Sequence, residues 1–311
     1  MSTAGYKTFV VVNPNSSNGK TGKVWPELEQ GLKERLGTFE HAVTTARGHA
    51  SILTAEALSK GFEMVVSLGG DGTHSEVVNG FFHPDGSPVK DDAILGTMTS
   101  GTGGDFRKTF GVDKGPWAAM EKLTGTETRP IDAGRFIYED HEGAEQVAFF
   151  INILSFGMGG LVDHMVNNTT KVLGGKTSFF IGTMRALARF RRQTVTLSVD
   201  DGPEETVKIH NVAVSNGRYF GGGMMVAPEA EPDDGLFDIV SFEDMSTLAF
   251  MSLGTSIYKG THLAHKNVTL RRGRKLVARS DDRSLLDVDG EQKGILPITI
   301  ENLHHALRLK V

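Results

Sequence analysis

The sequence predicts an α/β plus β protein, with an N-terminal parallel α/β domain over residues 1–130 and a C-terminal antiparallel β-sandwich domain over 131–311. Three observations carry that expectation. Short β-branched runs alternate with helically spaced apolar residues through the first third of the 311-residue chain. Near Arg129-Pro130 this rhythm gives way to short strand candidates separated by turn residues. The 38 glycines are not scattered but gather in short turns beside apolar runs, where a backbone must approach a ligand closely.

In the first domain, Thr8-Phe9-Val10-Val11-Val12 reads as a buried strand closed by the turn Asn13-Pro14. Trp25 to Leu36 has helical spacing, Phe39 to Thr45 suggests a second strand, and Ala50 to Leu58 a second helix. Met64 to Leu68 is a third buried strand, Glu76 to Phe82 a helix, and Ala93 to Thr97 a further strand. In the second domain the strand candidates are Val147–Leu154, Val195–Val199, Val207–Val214, Phe237–Phe242, Val268–Leu270 and Leu285–Val288. Thr177 to Arg192 and Leu248 to Lys259 read as helices. The last residues are placed with the second domain, with the option of packing back on the first.

Composition narrows the chemistry. A net charge of −5 does not suit a chain that coats nucleic acid. Without cysteine there is no disulfide, thiolate nucleophile or thiolate-bound zinc. The first residues show no secretory leader pattern, and no apolar run approaches the roughly 20 residues of a membrane span. The expectation is a cytoplasmic protein with peripheral membrane contact only; a homodimer is compatible with the sequence. Arg185 and Arg189, one turn apart and followed by Arg191 and Arg192, form either a solvated helix face or a patch for anionic lipid. The eleven histidines show no metal-ligand spacing, because His262 and His265 lack an acidic companion, and are expected on the surface.

The segment Gly69-Gly70-Asp71-Gly72-Thr73-His74-Ser75-Glu76 joins a buried strand to a helix. Its three glycines let backbone amides point inward, and the new helix N-terminus favours an anion, so the turn is expected to hold phosphates. Asp71 would repel a bare phosphate and is assigned to Mg²⁺; Thr73 is a hydroxyl donor or a helix cap. A second loop, Ser100 to Phe106, leaves the next strand at the same edge, with Thr102 as its side-chain donor and Asp105 as a donor-side cap. Asn13-Pro14-Asn15-Ser16-Ser17 and Thr44-Thr45 close two further strands there. Gly19-Lys20-Thr21 imitates the end of a P-loop, but Pro14 occupies the required glycine position and has no amide hydrogen. A dinucleotide fingerprint also fails, because Ser75 stands where its last glycine belongs.

Two acidic segments follow. Glu229, Glu231, Asp233, Asp234 and Asp238 crowd a turn that either holds a hard divalent ion or is simply solvated. Asp287, Asp289 and Glu291 alternate, as three carboxylates on one strand face whose repulsion could raise a base, or as the exposed acids of a hairpin.

Taken together, these segments resemble the diacylglycerol kinase catalytic-domain family, which includes sphingosine kinases, ceramide kinases and bacterial lipid kinases. The resemblance rests on Val11 to Pro14, Gly69 to Thr73 with Glu76 to Gly80, Gly101-Thr102 with Asp105-Phe106, and Phe156-Gly157. It continues through Asn216-Gly217, Pro228 to Ala230, Asp233 to Leu236, and Asp289-Gly290-Glu291. It implies an NAD kinase/diacylglycerol kinase-like fold and an ATP-dependent, Mg²⁺-requiring kinase acting on a lipid hydroxyl at a membrane surface.

By this resemblance ATP contacts Asn13, Pro14, Asn15, Ser16, Ser17, Thr44, Gly70, Asp71, Gly72, Thr73, His74, Ser75, Glu76 and Thr102. Asp289 is the base, with Glu291 the competing assignment and Asp71 a third carboxylate of the reaction. The acidic turn becomes a Mg²⁺ site with the Asp234 carboxylate and the carbonyls of Glu231 and Leu236. One departure stands out: the family usually has asparagine before the aspartate of the second loop, and this chain has Gly104. The alternatives are an NAD kinase-like small-molecule kinase and a non-catalytic nucleotide or lipid sensor.

Overall fold

A computed structural model describes residues 5–100, 104–110, 115–158 and 190–311. The chain divides into two compact units: residues up to Ala133 together with Leu303–Val311, and Gly134–Asn302.

In the first unit the strands are β1 (Thr8–Val12), β2 (Glu40–Val43), β3 (Met64–Gly69) and β4 (Ile94–Thr99). All four run parallel, in the order 2-1-3-4, and Arg308 and Leu309 at the C-terminus pair in parallel with Ile94 and Leu95. Chain order reverses between β1 and β3, so the crevice for a ligand lies beyond their carboxyl ends. All six β3 residues are buried, as a parallel strand covered on both faces must be.

Helix α1 (Lys20–Leu36) buries Trp25, Leu28 and Leu32 at helical spacing. With Ala119, Met120 and Leu123 of α5 (Pro116–Leu123), these residues pack on Val10, Val12, Met64, Val66 and Leu68. Two more helices are α2 (His49–Ser59) and α3 (Asp71–Asn79). They meet at Gly80, where a Cβ would lie 2.4 Å from the Ser51 carbonyl oxygen, so the chain after α3 must carry no side chain there. The short helix α4 (Asp105–Thr109) follows β4.

The expected helix Glu76–Phe82 is corrected to Asp71–Asn79. The amides of Thr73 and His74 already bond the Gly70 carbonyl, so the glycine turn is itself the first helical turn. The expected start at Trp25 moves back to Lys20, because that first turn is anchored by hydroxyls rather than apolar side chains.

The second unit is antiparallel. Its strands are β5 (Thr128–Glu139, from Gly134), β6 (Glu145–Phe150), β7 (Ile153–Gly157), β8 (Gln193–Val199), β9 (Glu205–Ser215) and β10 (Phe237–Glu243). They continue with β11 (Val268–Gly273), β12 (Lys275–Arg279), β13 (Leu285–Val288) and β14 (Glu291–Lys310, to Asn302). Along β9, β8 and then β7 are successive partners; along β14, β13 and then β12 are. Pairing of β13 with β7 and of β12 with β8 closes the ring. Phe136, Phe150, Phe156, Val212, Val214, Phe237, Leu286 and Ile300 belong to one apolar core of these strands. Ala213, of opposite pleat to Val212 and Val214, faces a second cluster with Leu253, which joins helices α6 (Thr247–Ser252) and α7 (Gly254–Lys259), and with Ile257 of α7.

The single strand expected over Val147–Leu154 is two, broken at Ile151-Asn152. The expected helix Leu248–Lys259 is likewise two short helices. The expected helix over 177–192, with Arg185 and Arg189, lies outside the described residues except for 190–192, which are neither helix nor strand.

Candidate active site

At the carboxyl edge of the first unit, the end of β1 is bonded to the start of α3: Asn13 donates its side-chain amide to Thr73 Oγ1 at 2.9 Å. The Asn13 carbonyl side chain in turn accepts the amide of Asn15 at 3.0 Å, a turn that carries the loop over Pro14. Gly69 is required beside this pair, because a Cβ there would stand 2.4 Å from Thr73 Oγ1. A chain of hydroxyls continues the rim: Ser16 to Thr21 at 2.6 Å, and Thr21 to Ser100 at 2.6 Å. Ser17, Asn18 and Gly19 all take left-handed φ, at 55°, 56° and 79°, and bend the loop into α1.

Asp71 opens α3. Its Oδ2 accepts the amide of Gly104 at 2.8 Å, while Oδ1 is buried with no hydrogen-bond partner among the described residues. Burial pushes the Asp71 carboxyl up; the Gly104 amide opposes this, and the charge of Asp105 adds to it. A partly buried carboxylate with one oxygen unused, at a phosphate-type turn, is a hard oxygen donor of the kind that would suit Mg²⁺. Lys108 pairs with Asp105 at 2.5 Å beside it. Gly104 is left-handed, φ 72°, and what it supplies is backbone N–H.

The remaining expected contacts of this unit have partners of their own. The His74 ring joins Ser67 Oγ of β3 at 2.7 Å and Thr99 Oγ1 of β4 at 3.2 Å, and burial lowers it to about 4, so it is neutral at physiological pH. The Glu76 carboxylate accepts the amides of Gly48 (2.8 Å) and Ala50 (3.3 Å), capping α2. Thr44 is buried and its amide bonds the Val12 carbonyl. Ser75 is buried within α3. Gly70 is the N-cap and Gly72 the second residue of α3. Thr102 lies outside the described residues.

In the second unit, Asp289 and Gly290 form the two-residue turn between β13 and β14. Both have positive φ, 50° and 84°, as a type I′ hairpin demands. Of the two readings of this segment the hairpin holds: the chain reverses after Val288, leaving Asp287 on β13, Asp289 in the turn and Glu291 on β14. Asp289 is buried, not an exposed hairpin acid. Its Oδ1 accepts the amide of Ile153 at 2.9 Å and its Oδ2 that of Ile151 at 3.4 Å, which fills the gap between β6 and β7. Glu291 pairs with Lys293 at 3.2 Å instead.

Two asparagines missed at the sequence level complete this corner. Asn216 donates to the Ile151 carbonyl at 2.9 Å, and Asn152 to the Tyr219 carbonyl at 3.0 Å. Both are buried. For Asn216 the available signal was the polar pair Ser215-Asn216 after the apolar run Val212-Ala213-Val214.

The acidic turn lines a cavity of about 480 Å³ with Arg218, Pro228, Glu229, Glu231, Asp234, Asp238, Leu270 and Arg272. Asp234 is engaged on both oxygens, by the Leu236 amide at 2.9 Å and by the Arg272 guanidinium. Arg272 also holds Asp238 at 2.8 Å, whose carboxyl burial pushes up against that pairing. A divalent ion at Asp234 would have to displace the guanidinium, so this arrangement does not fit an open Mg²⁺ site and no chemistry is routed through it.

The surface placement expected for the histidines fails for His74, His210 and His262, exposed by only 2%, 0% and 1%. His74 meets hydroxyls and His262 the Val226 carbonyl, while His210 stacks on the Phe250 ring with neither ring nitrogen hydrogen-bonded among the described residues.

A parallel α/β unit with a glycine-aspartate turn at its switch point, and an antiparallel unit presenting a buried aspartate, define a phosphoryl-transfer class of protein. The description "Diacylglycerol kinase catalytic domain" matches residues 7–136, and "YegS C-terminal NAD kinase beta sandwich-like domain" matches residues 152–311. The chain is 31% identical over 288 residues to a "Probable lipid kinase YegS-like" protein of Xanthomonas euvesicatoria, covering 89% of this chain and 90% of that one. It is 29% identical over 305 residues to a diacylglycerol kinase of Mycobacterium tuberculosis, covering 97% and 94%. A crystal structure of a diacylglycerol kinase from Bacillus anthracis shares the fold, with a TM-score of 0.73 at 20% identity over 99% of this chain and 98% of that one. The chain belongs to the diacylglycerol kinase catalytic-domain family and is a lipid kinase. Membership implies ATP as a substrate. Among the described residues no helix is long and apolar enough to cross a membrane.

Proposed function

We propose that the enzyme transfers the γ-phosphoryl group of ATP to a hydroxyl of diacylglycerol or a closely related lipid, with Mg²⁺. The observation that carries the reading is Asp71: a partly buried carboxylate whose Oδ1 is buried and unused among the described residues, at the head of a helix whose first turn is glycine-rich. Asn13 and Thr73 set the loop that receives the phosphates, and the amides at the start of α3 face their charge. Mg²⁺ held by Asp71 would neutralise charge on the transferring group.

Asp289 takes the proton of the acceptor hydroxyl as its oxygen bonds the γ-phosphorus and the bond to the β-phosphate oxygen breaks, releasing ADP. Such a base is worth ~10²–10⁴ in rate. Asp289 suits the role better than Glu291, because its carboxylate is fixed by two backbone amides whereas Glu291 carries a lysine. The apolar second unit takes the acyl chains. The exposed Leu248 and Met251, one turn apart on α6, and Tyr258 on α7 make the peripheral contact with the lipid surface.

The test is to incubate the enzyme with labelled ATP, Mg²⁺ and a total lipid extract, with NAD offered in parallel, and to identify the product by mass spectrometry. Label in phosphatidic acid supports the reading. Label in NADP, or in no lipid, overturns it.

A further inference from the structure

The C-terminal end of the first unit carries a side-chain cluster that the kinase chemistry does not use. Asp132, fully buried, lies beside His304 and His305, both exposed, and one ligand atom from each falls within 4.8 Å of the others. Asp132 Oδ1 stands 2.9 Å from His304 Nδ1 and accepts the His305 amide at 2.8 Å. Consecutive residues of a strand normally point to opposite faces. Here His305 has φ 53°, which breaks the alternation and turns both imidazoles to one side. Their centroids stack 3.7 Å apart. A left-handed backbone at a non-glycine residue is strained and persists only where the surroundings demand it.

We propose that Asp132, His304 and His305 bind a transition-metal dication of the zinc type. Ligands held about 2.1 Å from one zinc ion stand roughly 3.0–3.4 Å apart, and the Asp132–His304 pair, at 2.9 Å, has only to open slightly to reach that spacing. Two imidazoles and one carboxylate are a borderline-soft set that selects zinc, nickel or copper; magnesium prefers oxygen alone. His304 gives Nδ1 to the ion and keeps its single proton on Nε2, so the Asp132 hydrogen bond is exchanged for two metal bonds. Solvent fills the fourth position. The buried Asp132 charge then faces a cation.

The experiment uses the full chain without a histidine tag, stripped with chelator and titrated with Zn²⁺ alone against a chromophoric competitor, followed by cobalt substitution. Neither nucleotide nor lipid is needed. One equivalent of Zn²⁺ is expected, undisturbed by excess Mg²⁺, with visible d–d bands for the cobalt form. His304→Gln and His305→Asn should each weaken it by more than about tenfold. Asparagine tolerates the left-handed backbone, so His305→Asn removes the imidazole while keeping the turn. No bound zinc in the native chain, or an equivalent equally tight in both variants, overturns the site.

Discussion

Asn13, the residue after β1, and Thr73 on α3, sixty residues apart, share a 2.9 Å hydrogen bond across the point where the order of the parallel strands reverses. The bond fixes the glycine turn relative to the first loop, and Gly69 makes room for it. Thr73→Val, which keeps the shape but not the hydroxyl, should lower kcat/KM for ATP by about tenfold, as expected for one lost hydrogen bond. Gly69→Ala should cost more, because its methyl group would overlap the whole Thr73 side chain, from Cβ to Oγ1 and Cγ2. Steady-state kinetics with varied ATP, alongside thermal melts, checks both.

Gly104 contributes φ 72° and an amide to Asp71. Glycine and asparagine both take that conformation readily, which accounts for the exchange of one for the other relative to the family pattern. Gly104→Asn should keep most activity. Gly104→Val, forced out of the left-handed region, should release Asp71 and lose activity by more than about tenfold. Comparing the Mg²⁺ dependence of the two variants separates the backbone effect from any side-chain effect.

His74 is buried neutral, with its pKa lowered from 6.5 to about 4. The unfolded chain therefore binds a proton that the folded chain refuses between those values. Stability is complete above pH 6.5, falls as pH drops through this window, and changes no further below about 4. The full effect is about 3 kcal/mol. Urea unfolding at pH 7 and pH 4.5 should show the loss, and His74→Gln should flatten that part of the profile.

Leu248 is 79% exposed on α6. Leu248→Asp should leave the melting temperature unchanged and reduce sedimentation with anionic vesicles severalfold. Equal co-sedimentation of the variant would remove this helix from the membrane contact.

The parallel strands were legible because buried β-branched runs such as Met64–Leu68 have few alternatives, and the observed β3 differs from the expected span by one residue. The long strands β5 and β14 were not, because Pro130, Gly294 and Pro297 punctuate them as turns would. The first turn of α3 was read as loop because it has no apolar residue to mark its period; its helicity comes from the Gly70 carbonyl. At the candidate site, the glycine turn announced itself by composition. The bonding of Glu76 to the amides of α2 and the insertion of Asp289 between Ile151 and Ile153 depend on contacts distant in sequence, which no local pattern records.

The most direct measurement is the turnover of Asp289→Asn beside the native enzyme, with ATP, Mg²⁺ and diacylglycerol vesicles, and with nucleotide binding measured on both. The account predicts phosphatidic acid from the native enzyme, a loss of at least about 10²-fold in kcat for the variant, and ATP affinity within a few fold. Undiminished turnover by Asp289→Asn would contradict it.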